Sequence, residues 1–334
     1  MEQFLKLKTQ DKRDSFFVTA EQKMMSVLIL EKDFWVCFLL DILFHQSIHK
    51  DHFAFKGGTS LSKGYRIIER FSEDIDLVLD WKLLGYEENT PWEERSNRKQ
   101  ELFNEKANQS AALWINEKLR VELESLVAEK VSDFSFTIDS NDAQTLLFHY
   151  PSVFQESSSG GIQKVVRLEI GPLASMLSTE MIDITSYVEE TLPQLFQGSP
   201  NLIKLVKAER TFWEKATILH KEAHRLNNRT PLRYSRHYYD LYQMSKSEIK
   251  QRAFDKCGLL AQVVAFKQKF YRSNSAKYDL ATLKQIRLLP NSNQLELLEE
   301  DYQQMQDMIF GEKILFSEIM KRLETLENEI HGIR

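Results

Sequence analysis

The Gly57-Gly58 pair and its surroundings constrain the fold more than any other part of the chain. A short apolar run precedes the pair, an apolar helical pattern follows at 61–68, and residues 74–79 begin by alternating acidic with apolar side chains. Glycines directly after a strand are typical of a tight turn, and alternation is the period of a strand with one buried face. The region therefore predicts a strand, a glycine turn, a helix with Thr59 as its N-cap, and a second strand.

A glycine turn in this position is suited to a polyphosphate. Without side chains the backbone can approach a ligand closely and present its amide groups, and the start of the next helix adds a favourable partial charge for an anion. Thr59 and Ser60 add hydroxyl donors. We therefore predict that Gly57, Gly58 and Ser60 hold the phosphates of a nucleotide, with Lys56 and Thr59 beside them.

Asp74 and Asp76 predict a metal. Residues two apart in a strand point to the same face, so these carboxylates stand side by side, which is unfavourable unless a cation lies between them. Glu169 lies in a second strand-like run at 165–170. If the two strands are neighbours, three carboxylates converge and can hold two Mg²⁺ ions for displacement at phosphorus; alternatively, Glu169 helps deprotonate the acceptor. Ser72 either caps the turn or reaches a phosphate.

The remaining pattern places strands in the first part of the chain and helices in the second. Helices are predicted at 19–31, 33–48, 93–130 and from about 202 onward, further strands at 134–138, 146–150, 165–170 and 181–184, and a hairpin loop at 157–161. This order predicts an α+β architecture. We divide it into a nucleotide-handling domain at 1–200 and a helical domain at 201–334 that closes the cleft.

Composition limits the partners and the compartment. The 334 residues carry a formal net charge of −5, so any contact with nucleic acid needs a local basic surface. The two cysteines, Cys37 and Cys257, have no metal-type spacing and suit a reducing compartment. No apolar run has the form of a signal peptide or a membrane span. We expect a cytoplasmic protein that does not enter a membrane.

Several motifs resemble those of a known family. The Gly57-Gly58-Thr59-Ser60 run with Asp74-Ile75-Asp76 resembles the signature of the DNA polymerase β type nucleotidyltransferase superfamily. More narrowly, KGGTSLSK and RFSEDIDL resemble the AbiEii/AbiGii family of nucleotidyltransferase toxins. Two later runs, ERTFWEKATILHKEAHR and RHYYDLY, resemble that family's later motifs, which centre on a lysine and an aspartate. The resemblance covers roughly residues 50–245.

This resemblance implies a fold and two further site residues. The fold would be a polymerase β-like mixed sheet with flanking helices, followed by a helical C-terminal domain. Lys215 would contact the nucleotide phosphates, and Asp240 would orient the nucleotide or the surface on its base side. From the residues alone, Lys215 could instead be a solvated helix residue, and Asp240 a surface acid paired with Arg236.

The resemblance also implies an activity. It predicts a Mg²⁺-dependent enzyme, with Mn²⁺ as an alternative metal, that transfers a nucleoside monophosphate from an NTP to an acceptor hydroxyl. The protein would be the toxin of a toxin–antitoxin pair in abortive infection, a phage defence, and would have a cognate antitoxin protein as its partner. The acceptor that the resemblance favours is the 3′ end of tRNA, a tRNA modification.

Two other functions remain open at this stage. The same chemistry could act on a hydroxyl of a protein or of a small molecule such as an aminoglycoside. Alternatively, the chain could be a non-enzymatic module that binds a nucleotide and sequesters a partner.

His220 and His224 have a spacing that can bind zinc on a helix. No third ligand of suitable type stands nearby, and the predicted chemistry does not need zinc. We therefore predict a structural role for both residues.

Overall fold

The computed structural model describes residues 1–154, 163–172, 178–198, 200–225 and 231–333. The chain divides into two compact units, which we call the sheet unit, residues 1–64 and 72–206, and the helical unit, residues 65–71 and 207–334. The predicted hairpin loop at 157–161 lies outside the described residues. The division into functional domains at residue 200 stays a prediction.

A mixed β-sheet forms the centre of the sheet unit. Its strands in the described residues are β1 (Phe53–Lys56), β2 (Asp74–Leu79), β3 (Ser135–Ile138), β4 (Thr145–His149), β5 (Val165–Gly171), β6 (Thr179–Asp183) and β7 (Leu202–Val206). They lie in the order β3-β4-β5-β2-β1-β7-β6. The β2–β5 and β1–β7 pairs are parallel, and the other neighbours are antiparallel. The predicted α+β class and mixed sheet are confirmed.

One face of the central strands is apolar and buried. Its buried side chains on β1, β2 and β5 are Phe53, Phe55, Ile75, Leu77, Leu79, Val166, Leu168 and Ile170. Helix α3 packs against β5, and nearly all of its side chains are buried. Because strand side chains alternate between faces, this burial directs the charged residues of β2 and β5 to the opposite face.

Helices flank the sheet and make up most of the helical unit. Those of the sheet unit are α1 (Glu2–Leu5), α2 (Thr9–Lys23), α3 (Val27–Asp41), α4 (Gly57–Thr59), α5 (Asn97–Trp114), α6 (Arg120–Ala128) and α7 (Tyr187–Thr191). Those of the helical unit are α8 (Ala208–Ala223), α9 (Arg236–Lys246), α10 (Glu248–Asp255), α11 (Gly258–Phe270), α12 (Ser292–Met305) and α13 (Phe316–His331). Single π-helical turns follow α3, α4 and α5, at Ile42–Gln46, Ser60–Gly64 and Ile115–Leu119.

Two predictions around the first helices were wrong. The break between the predicted helices at 19–31 and 33–48 lies instead between α2 and α3, where Met24 adopts a left-handed conformation and Ser26 caps α3. The helix predicted at 61–68 is displaced toward the N-terminus, because the chain turns directly from β1 into the helical stretch 57–64, which consists of α4 and the π-turn.

The prediction of a helix from residue 202 was also wrong at its start. Residues 202–206 form β7, which pairs with β1 and β6, and α8 begins only at Ala208. A short apolar run fits a buried strand and a buried helical turn equally well. Pairing with both neighbouring strands decides for the strand, because it satisfies backbone groups on both of its edges.

No helix in the described ranges is long and apolar enough to cross a lipid bilayer.

Candidate active site

Gly57 forms the corner between β1 and the helical stretch 57–64. Its φ angle is +82°, in the left-handed region that favours glycine. A Cβ atom at this position would overlap the carboxylate of Asp76. The site therefore requires glycine twice, for the backbone conformation and for the close approach of the acidic strand. The glycine turn and the acidic pair lie against each other.

The hydroxyl groups behind the glycines hold the turn in place. The Thr59 Oγ1 hydroxyl donates to the Asp74 carbonyl oxygen at 2.6 Å and joins the turn to the first residue of β2. The Ser60 hydroxyl donates to the Gly57 carbonyl oxygen at 2.9 Å. Both side chains are buried, and each hydroxyl proton is donated to a backbone carbonyl oxygen. Thr59 is not the predicted N-cap, since it lies inside the helical stretch.

Charged side chains form a row on the face of the sheet opposite the apolar one. Asp76 lies opposite Lys56 of β1 and beside Glu169 of β5 in the strand registers, and Asp74 lies beside Arg167. Residues in register on adjacent strands point to the same face. The strands of Asp76 and Glu169 are neighbours, so the condition for three converging carboxylates is met.

Arg167 lies among these acidic side chains. Its Nε is 3.8 Å from Asp74 Oδ1 and 3.8 Å from Glu169 Oε1, and its Nη1 donates to Asp139 Oδ2 at 2.7 Å. Burial by itself would lower the pKa of Arg167, but these acids raise it. A cationic side chain thus stands between two of the predicted metal ligands.

The acidic residues carry the negative charge that a divalent cation needs, and their side chains point to the same face of the sheet. Asp74, Asp76 and Glu169 share one face on adjacent strands, and oxygen ligands are those that Mg²⁺ prefers. Among the described residues, no three carboxylate, imidazole or thiol side chains are drawn together closely enough to hold a metal by themselves. The Arg167 guanidinium stands in for part of the positive charge that the acids require. Phosphate oxygens of a substrate would have to complete a metal's coordination.

A buried ion pair anchors the helical stretch 57–64 to the helices behind it. Lys63 Nζ is 2.9 Å from Asp33 Oδ1 of α3 and lies 3.6 Å from the centre of the Tyr187 ring. The other oxygen of Asp33 accepts the backbone N–H of Tyr187 at 2.7 Å. Although burial by itself would lower it, Asp33 raises the pKa of Lys63. The charged lysine is therefore a fixed part of the support of the glycine turn.

A second buried lysine supports the start of β2. Lys32 Nζ of α3 is 2.5 Å from Glu73 Oε2 and donates to the Gln163 carbonyl oxygen at 3.2 Å. Glu73 directly precedes Asp74. Helix α3 thus holds both the glycine turn and the acidic strand through its buried charges. Ser72 is partly buried just before this point, and its predicted contact with a phosphate stays a prediction.

Lys215 and Asp240 lie together in the helical unit, on α8 and α9. Lys215 Nζ donates to Asp240 Oδ2 at 2.7 Å, and both side chains are buried. Arg70 holds the same carboxylate with Nε and Nη2, at 2.7 and 2.8 Å. The interpretations of Lys215 as a solvated residue and of Asp240 as a surface acid paired with Arg236 are therefore wrong.

The electrostatics of this cluster favour the charged form of Asp240. Burial by itself would raise the pKa of Asp240, but Arg70 and Lys215 together lower it. Burial lowers the pKa of Lys215, and the Asp240 carboxylate opposes this shift. Removal of Asp240 would take away the carboxylate that both buried cations share.

His220 and His224 form no metal site. His220 Nδ1 accepts the backbone N–H of Arg287, and Nε2 donates to the Lys277 carbonyl oxygen, each at 3.0 Å. His224 Nδ1 is 2.9 Å from the His220 carbonyl oxygen. Because both ring nitrogens of His220 are occupied, the predicted structural role is supported.

Arg167 is two residues from Glu169 and so shares its face, a spacing that indicates a salt bridge between the two at the level of sequence. The partners of Arg70 and Asp139 were missed at that level. Arg70 is 170 residues from Asp240, and Asp139 is 28 residues from Arg167. No periodicity links residues at such separations.

The chain is similar to known proteins. The family described as nucleotidyl transferase AbiEii toxin, type IV toxin–antitoxin system, matches residues 41–322. Among solved structures, MenT4, a nucleotidyltransferase toxin from Mycobacterium tuberculosis H37Rv, is similar, with 15% sequence identity and a TM-score of 0.46. That alignment covers 96% of this chain and 90% of MenT4. No protein of curated function matches the chain.

Proposed function

Because the chain belongs to the AbiEii family, the nucleotidyltransferase toxins of type IV toxin–antitoxin systems, we propose that it transfers a nucleoside monophosphate from an NTP to the 3′ end of tRNA. The family implies an NTP substrate, a divalent metal and an antitoxin partner. Mg²⁺ as the metal, with Mn²⁺ as a substitute, and tRNA as the acceptor are parts of the proposal.

The contact between the glycine turn and the acidic strand carries this proposal. Gly57 leaves no side chain between the turn and the Asp76 carboxylate, so a polyphosphate on the turn would lie beside the acidic row. A nucleotide and a metal would then share one place, which phosphoryl transfer requires.

Asp74 and Asp76 would hold the metal, with Glu169 as the third acid of the row. When bound, a divalent ion neutralises charge on the phosphates and lowers the pKa of a coordinated hydroxyl. Glu169 is 44% exposed at its side chain, which leaves its carboxylate open to the solvent side. We assign Glu169 either to completing the metal site or to taking the proton of the acceptor hydroxyl.

The glycine turn would bind the phosphates through its backbone. Since the Thr59 and Ser60 protons point to backbone carbonyls, we assign these two residues to holding the turn in shape. Gly57 and Gly58 allow a phosphate to approach the amide groups. Lys56, opposite Asp76 in the register, would add a positive charge.

The reaction is an in-line displacement. The acceptor oxygen forms a bond to the α-phosphorus of the NTP, the bond from that phosphorus to the bridging oxygen breaks, and pyrophosphate leaves with the electron pair. The hydroxyl proton passes to a base, for which Glu169 is the candidate in the row. Lys215 would stabilise negative charge on the phosphates, because Asp240 holds its ammonium group in place.

Labelled nucleotides test the acceptor directly. The purified protein is incubated with Mg²⁺, each α-³²P-labelled NTP, total RNA and cell lysate, and label is followed in tRNA, other RNA, protein and small molecules. Label at the 3′ end of tRNA supports the proposal. Label only in protein or in a small molecule would overturn the tRNA assignment while preserving the transferase. Absence of label from every fraction would favour a non-enzymatic nucleotide-binding module.

A further inference from the structure

The predicted phosphate-contacting lysine of the helical unit is part of a cluster of four side chains, three of which are buried. Lys215 of α8 donates to Asp240 of α9, and Asp240 accepts a bidentate pair from Arg70. Asp240 is fully buried, and the side chains of Arg70 and Lys215 are 4% and 9% exposed. The fourth member, His237, lies one turn before Asp240 on the same helix.

His237 contacts Lys215 directly. The distance from Lys215 Nζ to His237 Nδ1 is 3.2 Å. An ammonium group only donates, so Nδ1 must accept and its ring must be neutral. Burial, Lys215 and Arg236 all lower the pKa of His237, which keeps the ring in this form.

These contacts orient the ammonium group and leave part of it unused. A lysine ammonium has three N–H donors, and within the described part of the chain its hydrogen-bond acceptors are Asp240 and His237. One donor is therefore left over. A fixed cation with one remaining donor is suited to a phosphate oxygen.

The backbone that carries Arg70 is fixed as well. Phe71 N donates to the Met308 carbonyl oxygen at 2.7 Å, and Phe310 N donates to the Glu69 carbonyl oxygen at 3.0 Å. Arg70 itself forms a β-bridge with Ile309. Segment 65–71 thus belongs to the helical unit, although it joins the glycine turn to the acidic strand in sequence.

We propose that Arg70 and His237 are positioning residues for Lys215, with Arg70 acting through Asp240 and His237 acting directly on the ammonium group. The inference rests on the proposed role of Lys215 toward the nucleotide phosphates. A cluster that only stabilises the helical unit would make the same contacts, so its test must separate nucleotide binding from folding.

The central test is a set of His237 variants. His237→Leu removes the acceptor at similar volume, and His237→Gln offers a carboxamide oxygen in its place. Each is measured for its melting temperature, for its Kd for an NTP with Mg²⁺ but without acceptor, and for KM and kcat. We expect His237→Leu to weaken NTP binding on the order of tenfold, as for loss of one hydrogen bond to a charged group, with restoration in His237→Gln. The exposed His45, changed to Leu, is the matched control.

The pH profile adds a signature that a purely structural residue would lack. Protonation of His237 would place a second cation against Lys215, with Arg236 and Arg70 adding positive charge, Asp240 opposing it, and the Tyr234 ring 4.9 Å away. The KM for the NTP should therefore rise only at a pH well below about 6.5, the ordinary histidine value, because the pKa of His237 in the folded protein lies well below it. This acid-side rise should be absent from His237→Gln.

Arg70 is tested by the conservative variant Arg70→Lys, which keeps the charge and loses the bidentate geometry. We expect a weaker NTP complex with a folded protein.

Lys215→Met separates the role of Lys215 itself from the positioning roles of Arg70 and His237. Unchanged NTP binding in Lys215→Met would overturn the role of Lys215 itself. If Lys215→Met loses binding while His237→Leu and Arg70→Lys bind like the wild type, the positioning role alone is overturned. Equal NTP binding by His237→Leu and His237→Gln would also overturn the positioning role of His237.

Discussion

Gly57 and Asp76 lie so close together that any side chain at residue 57 would overlap the Asp76 carboxylate. The two residues are 19 positions apart, and the helical stretch 57–64 and segment 65–71 intervene. Both the turn and the acidic strand depend on α3 for support, through Lys63–Asp33 and Lys32–Glu73. The glycine turn and the acidic strand of the proposed site thus share one corner of the sheet unit, and each contact there can be tested separately.

Gly57→Ala should strongly reduce transfer and destabilise the protein. Any L-residue at this φ costs about 1–2 kcal/mol, and the overlap with Asp76 adds displacement of the acidic strand. Because small misplacements of reacting groups are costly, we expect transfer to fall on the order of 100-fold. Gly85 has a φ of +78° and open space around it, so Gly85→Ala isolates the backbone cost. Equal loss of activity in both variants would contradict the importance of the contact.

Asp76→Asn should remove both transfer and toxicity while preserving the fold. The change deletes one ligand charge at nearly constant volume, and metal stabilisation of several kcal/mol corresponds to roughly a 1,000-fold loss in rate. Growth after induced expression and label transfer in vitro are the measurements. Asp14→Asn, at an exposed position, is the matched control. Toxicity that persists in Asp76→Asn would favour sequestration of a partner over catalysis.

Arg167→Ala should let a divalent ion bind at lower concentration. Its guanidinium is only 33% exposed and stands 3.8 Å from both Asp74 and Glu169, so it competes with a metal for the same acids. A partly exposed ion pair contributes about 0.2–1 kcal/mol, so the metal concentration at the midpoint should fall roughly threefold. The midpoint of metal-induced thermal stabilisation measures it, with Arg167→Lys as the control that retains the charge. An unchanged midpoint would show that Arg167 does not compete.

Lys63→Met should destabilise the sheet unit strongly. It leaves the Asp33 carboxylate buried without its cation, which typically costs about 3–5 kcal/mol. The double variant Lys63→Met with Asp33→Asn should recover much of the loss, because Asn can still accept the N–H of Tyr187. Urea unfolding measures both, and Lys50→Met serves as the exposed control. Absence of recovery would mean that lost packing, not the uncompensated charge, causes the effect.

Stability should fall on acidification because of His220. Burial lowers the pKa of His220, and both ring nitrogens are hydrogen-bonded in the neutral form. In the unfolded state His220 has a pKa near 6.5 and binds a proton at a pH where the folded state does not. The contribution is therefore fully present above about pH 6.5 and is lost as the pH falls below it, with a slope of at most about 1.4 kcal/mol per pH unit.

Urea unfolding between pH 8 and pH 5 checks this linkage. His220→Gln should flatten the acid side of the profile, and the exposed His45→Gln should leave it unchanged. His237, whose pKa is also lowered, would add a second proton, so some slope should remain in His220→Gln. An identical profile in wild type and His220→Gln would contradict the assignment.

Local sequence was sufficient to predict those elements whose side chains follow a clear periodic pattern. The alternation in Asp74–Leu79 predicted β2 and the common face of the two aspartates, and the glycine pair predicted the turn after β1. It was insufficient at Leu202–Val206, whose five residues fit either type of element. It also failed to place Thr59, since the partner of its hydroxyl is a carbonyl 15 residues away.

The sequence by itself therefore determined the strand, turn and helix order, the mixed architecture and the acidic pair beside a glycine turn. These features follow from periods of two and about four residues and from the conformational freedom of glycine, which are properties of adjacent residues. Only the tertiary structure decided that Glu169 lies beside Asp76, that Arg167 stands among the acids, and that Arg70 and His237 hold Asp240 and Lys215. Those relationships join strands and helices that are distant along the chain, and packing of buried apolar faces sets them, which no local pattern encodes.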